Sequence, residues 1–124
     1  MHLLTRHLPI ELTNGNDGRG NKWFSSAKVR EKIERQLREL GEEREPFEMK
    51  VRVMITRVLG KNQRLWDMDS ILRGNSKELI DALVAVGWFT DDSPKYITEV
   101  IGRQDASQRA NGPSVIIDVE RSLE

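Results

Sequence analysis

Hydrophobic and polar residues alternate with two different periods along the chain, and each change of period marks an element. Residues 3–12 read as a strand interrupted by Pro9, which predicts a place near a sheet edge. The nine residues 14–22 carry no apolar side chain and many turn formers, which predicts a loop. Ser25 or Ser26 then offers an N-cap, and Val29, Ile33, Leu37 and Leu40 recur at helical spacing. Gly41 stands where that helix should stop. Phe47, Met49, Val51, Val53 and Ile55 alternate with Glu48, Lys50 and Arg52, predicting a strand with one buried face that ends near residues 59–62. A second helix is predicted over 76–86, with Leu79, Ile80, Leu83 and Val84 as its stripe and Gly87 as its stop. Strands over 96–101 and 114–120 complete the series.

The order β-α-β-α-β-β predicts a compact α/β domain of the α+β type, with a mixed sheet and two main helices packed on it. At 124 residues the whole chain, 1–124, is expected to be a single domain. No run of apolar residues is long enough for a membrane span. Residues 1–12 include Glu11 and lack the apolar stretch of a secretory signal, so a cytoplasmic protein of a bacterium or phage-infected bacterium is expected. There is no cysteine, which excludes disulfides, a thiolate nucleophile and Cys-ligated zinc. With only His2 and His7 besides, any metal would have to be held by oxygen.

Net charge is zero, but it is unevenly placed. Residues 1–66 hold 14 Lys/Arg against 9 Asp/Glu, and residues 67–124 hold 6 against 11. Such a split suits a surface for a polyanion beside a surface for a cation, although solvated faces alone would produce it too.

The candidate chemistry lies in the acidic half. Asp67 and Asp69 are two apart, so in extended backbone both carboxylates project from one face. Asp91 and Asp92 follow about one helix later and return to the same place if that helix folds back on the sheet. Carboxylates brought together repel unless a cation lies between them, and Mg2+ or Mn2+ suits such a set. Lys77, near the start of the intervening helix, would supply a positive charge beside a phosphate. A structural alternative stands beside this one: Asp-Asp before Ser93-Pro94 is good turn chemistry, and Lys77 alone reads as a solvated helix residue. Trp66, Trp88 and Phe89 read as core or pocket lining rather than as stacking platforms.

The run Asp67-Met68-Asp69-Ser70-Ile71-Leu72, then Lys77, Asp81-Ala82-Leu83, Gly87 and Asp91-Asp92, resembles the RusA family of Holliday junction resolvases. That family carries D-x-D-N, a lysine, D-A-L, a glycine and a closing D-D, and the layout of elements is similar over nearly the whole chain. The resemblance implies a homodimeric, Mg2+-dependent endonuclease of DNA recombination and repair that nicks paired strands of a four-way junction. It implies that Asp67, Asp69 and Asp92 hold the metal, with Asp91 a less decisive acid, and that Lys77 is the catalytic lysine. Two departures stand out. Ser70 replaces the family's asparagine, and the stretch between Asp69 and Asp81 is about four residues longer than the family pattern. Counted back from Asp81 the cation is Lys77, whereas counted forward from Asp69 it is Arg73. Phosphate contacts are expected from Arg6, Arg19, Lys22, Lys28, Lys61 and Arg64, besides Lys77. Two rivals remain: a non-catalytic module that binds branched nucleic acid, and a nuclease of the same fold that acts on other branched or flap DNA.

Overall fold

The computed structural model describes residues 1–12, 26–66 and 76–123. Its elements run β1 (His2–Leu8), α1 (Ser26–Glu39), β2 (Val51–Val58), α2 (Ser76–Ala85), β3 (Ile97–Asp105) and β4 (Ser114–Arg121), with a short 3-10 turn, Arg109–Asn111, before β4. This is the expected order, and the expected α+β class with a mixed sheet.

The four strands lie in the order β1-β4-β2-β3. Antiparallel ladders join β1 to β4 and β4 to β2, while β2 and β3 run parallel. A parallel pair needs a crossover, and α2 lies within it. Both helices belong to one face of the sheet. There Val51, Val53 and Ile55 of β2 meet Val115, Ile117 and Val119 of β4, with Ile33 and Leu37 of α1 and Leu79, Ala82 and Leu83 of α2, all buried in one cluster. Each aliphatic side chain taken fully out of water there contributes roughly 1.5–3 kcal/mol.

β1 is an edge strand, as its proline predicts, but it ends at Leu8 rather than reaching residue 12. Pro9 has no N–H to donate to a ladder. Ile10 and Leu12 are buried nevertheless, as loop residues tucked against the core. β2 is displaced from the expected position. Its ladders run from Val51 to Val58, and Phe47 and Met49 precede the strand. Their alternation comes from packing instead of pairing. Phe47 stacks on Phe89 with centroids 5.9 Å apart, and its N–H bonds Trp88 O. β2 is also covered on more than one face, because Met54 and Val58, which alternate with the core residues, are buried too. β3 runs four residues past its expected end, drawn on by the ladder to β2.

Both helices stop at glycine in the same way. Gly41 has φ +72°, with Gly41 N–H bonded to Arg38 O and Glu42 N–H to Leu37 O. Gly87 has φ +99°, with Gly87 N–H on Val84 O and Trp88 N–H on Leu83 O. These paired bonds satisfy the last carbonyls of each helix. Leu40 lies in the first of these turns and is 41% exposed, so it leaves the stripe that its spacing suggests.

Candidate functional site

The chain leaves β2 toward the acidic stretch through residues 59–66, a segment held by side chains from three directions. Arg109 donates from Nη1 to Gly60 O at 2.6 Å and to Gln63 O at 2.7 Å. Gln63 accepts from Gly60 N–H at 2.8 Å and donates to Glu11 at 2.8 Å. Gly112 lies so close that a Cβ there would stand 2.3 Å from Leu59 O. Further on, Arg57 Nη1 donates to Arg64 O at 3.0 Å and to Gln104 Oε1 at 2.9 Å. Its guanidinium lies 3.8 Å over the Trp66 ring centre. Gln104 takes both polar groups of Trp66: N–H to Oε1 at 2.8 Å and Nε2 to the carbonyl at 3.0 Å. Arg57 and Gln104 are register partners on β2 and β3, and so share a face.

Asp67 and Asp69, the two acids that open the motif, lie outside the described residues, as do Arg73, Arg19 and Lys22. The remaining members can be placed. Lys77 is in the first turn of α2 with 72% of its side chain exposed, and its Nζ meets Asp81 Oδ2 at 3.2 Å, one turn on. That hydrogen bond, and then the charge of Asp81, raises the Lys77 pKa above 10.5, with further contributions from the charges of Asp92 and Glu78. Lys77 is therefore a cation paired with one carboxylate, that of Asp81. Glu78 belongs to the same turn, and its Oε2 is buried with no hydrogen-bond partner among the described residues.

Beyond α2 the chain runs through two aromatic residues before it reaches Asp91 and Asp92. Trp88 and Phe89 are buried in the core, edge-on to one another at 6.3 Å, and Trp88 Nε1 donates to Glu42 O at 2.6 Å. The expectation that both are core residues holds. Asp91, by contrast, has a turn role. Its Oδ1 accepts from Ser93 N–H at 2.7 Å. Hydrogen bonds from the Ser93 side chain and backbone, with the charge of Lys95, hold its carboxyl below the usual 3.8. Asp91 is thus engaged in the turn before Pro94, the chemistry that its place in the sequence also suggested.

Among the other expected cations, Arg6 pairs with Glu42 at 3.1 Å, beside the segment that contacts the C-terminal end of α2. It does not share the end of the helix that carries Lys77. Lys28 lies on the exposed side of α1, while Lys61 and Arg64 are exposed on the segment leading to Trp66. Arg57, Gln104 and Glu78 escaped the sequence reading. Only Arg57 left a signal: extending the 51, 53, 55 alternation by one step puts a charge on the buried face.

Every candidate ligand is a carboxylate, so the donor chemistry fits a hard divalent ion; Glu78, outside that set, has a buried oxygen with no hydrogen-bond partner among the described residues. Among the described residues alone, no three metal-binding side chains converge. No helix among them is long and apolar enough to cross a membrane. No family model and no curated protein matches the chain.

Proposed function

We propose that the chain is a RusA-like endonuclease that nicks four-way DNA junctions as a homodimer, with Mg2+ (or Mn2+) held by Asp67, Asp69 and Asp92. The observation that supports the reading is Lys77 in the first turn of α2, mostly exposed and paired with Asp81 at 3.2 Å. Motif spacing alone offered Lys77 or Arg73, and the pairing with the aspartate of the D-A-L run supports Lys77. A divalent ion among the carboxylates would lower the pKa of water and offset charge on the phosphate. Asp67, Asp69 and Asp92 would be the ligands of that ion, and Lys77 would balance charge that grows on a phosphoryl oxygen. Asp81 keeps that ammonium in place and protonated. Two-fold symmetry gives the paired strands of a junction equivalent sites. Lys61, Arg64 and Lys28, with Arg19 and Lys22, supply phosphate contacts, which makes binding weaken steeply with salt. The cytoplasm of a bacterial or phage-infected cell offers such junctions.

A panel of four-way junction, fork, flap and duplex DNA, with and without Mg2+, tests the assignment. Nicking of the junction that requires the metal is expected, with Asp67→Asn losing at least about a hundredfold in rate while junction binding survives. Cleavage by Asp67→Asn at the parental rate would show the ligand assignment to be wrong. Preference for flap or fork would move the substrate, and binding without any cleavage would leave a non-catalytic module.

A further inference from the structure

We propose that Gln104 is a positioning residue for the acidic site, gripping the N–H and the carbonyl of Trp66, the residue that precedes Asp67 in the chain. This rests on the reading of Asp67 as a metal ligand. A side-chain amide presents one acceptor and one donor in a plane, and here they meet the N–H and the carbonyl of a single residue at 2.8 and 3.0 Å. Gln104 thereby holds Trp66 over the face of the sheet that it shares with Arg57. The grip has its own support. Arg57 donates to the same Oε1 at 2.9 Å and lies flat against the Trp66 ring, so indole and peptide are both held.

The choice of residues at this level of the sheet argues for position rather than bulk. The three preceding positions on the core face of β2, Val51, Val53 and Ile55, are apolar and wholly buried. The next is Arg57, at 4% exposure, and its register partner is Gln104. An apolar pair of similar volume would pack there without the desolvation cost of a guanidinium. Apolar contacts slide, however, whereas hydrogen bonds to both groups of one peptide fix its height and its rotation. Ligating oxygens need placement within about 0.5 Å, and such placement is supplied by neighbours that cannot slide.

Mn2+ binding to the full-length chain, followed by electron paramagnetic resonance, tests the role without relying on cleavage. Wild type is expected to bind, and Asp67→Asn to lose binding. Gln104→Met, which removes the donor and the acceptor, is expected to bind at least tenfold more weakly. Gln104→Glu keeps the acceptor for Trp66 N–H and Arg57 but loses the donor, and should fall between. Ile117→Val, a core change in β4, serves as a control that loosens the fold generally and should leave Mn2+ affinity unaltered. If Asp67→Asn loses the ion while both Gln104 variants bind like wild type, the positioning role is overturned and the ligand assignment stands. If Asp67→Asn binds Mn2+ like wild type, both fall together. Should Gln104→Met fail to fold, Gln104→Glu decides alone.

Discussion

At its C-terminal end α2 is fastened by contacts that match one polar group to another, whereas at its N-terminal end charges gather around an exposed lysine. On the first side, Gly87 turns the chain, Arg44 N–H meets Val86 O at 3.2 Å, Trp88 Nε1 meets Glu42 O and Phe47 N–H meets Trp88 O. On the other, Lys77 is mostly in solvent, Asp81 and Asp92 act on it, and Glu78 Oε2 is buried without a partner among the described residues. The first arrangement lowers the free energy of the fold. The second leaves a paired cation mostly in solvent, where the proposed contact with a phosphate needs it. One helix thus carries an anchor at one end and the candidate chemistry at the other.

The largest effect is expected from breaking the anchor. A Cβ on Gly87 would stand 2.1 Å from Arg44 O, a backbone atom that cannot swing aside, and φ is +99°. Gly87→Ala should therefore cost roughly 3 kcal/mol or more, a large share of the stability of a domain of this size. Gly41 ends α1 with the same turn but faces open space, with nothing within 4 Å of the added atom. Gly41→Ala should cost about 1 kcal/mol, the conformational term alone. Urea unfolding of the two variants separates close approach from backbone strain. Equal losses would show that the Arg44 contact yields.

The chemical end should behave in the opposite way. Lys77→Met is expected to leave the urea midpoint almost where it was, because an exposed i,i+4 pair contributes little to folding. It should lower junction nicking by roughly a hundredfold or more, the scale for losing a group that stabilises transition-state charge. Arg73→Met in the same assay should keep most of the activity. The reverse ranking would assign the catalytic cation to Arg73 and leave Lys77 as a partner of Asp81.

What the sequence disclosed follows the range of the interactions involved. The stops at Gly41 and Gly87 are written within six residues, so they were legible; β1 is at the edge as expected, but Pro9 lies just beyond its end rather than within it. The start of β2 was misplaced because Phe47 shows the same alternation whether it pairs with a strand or packs on Phe89. The Gln104–Trp66 grip spans 38 residues and uses a glutamine indistinguishable from any polar residue of an edge strand. Only folding brings the two together. For the acidic stretch the structure adds what spacing could not: Lys77 and Asp81 as one helix-turn pair, and Asp91 as a turn residue bonded to Ser93. Asp67 and Asp69, outside the described residues, still rest on the sequence.

The turn role of Asp91 yields the smallest expected effect and one that pH resolves. Asp91 has its carboxyl held below 3.8 in the folded protein by hydrogen bonds from Ser93, aided by Lys95. A carboxylate whose folded value is lowered contributes stability above its unfolded value, and that contribution disappears as pH falls through the folded one. The difference in urea midpoint between wild type and Asp91→Ala should therefore hold steady from about pH 7 to about pH 5 and shrink below the ordinary aspartate range. Salt should reduce it only slightly, because the hydrogen bonds outrank the charge of Lys95. Asp91→Ala should also spare most of the nicking that Asp92→Asn abolishes, since Asp91 is already engaged in the turn. A midpoint difference that instead grew toward acid pH would mean that the folded state favours the protonated acid. The hydrogen bonds from Ser93 would then not be what governs Asp91.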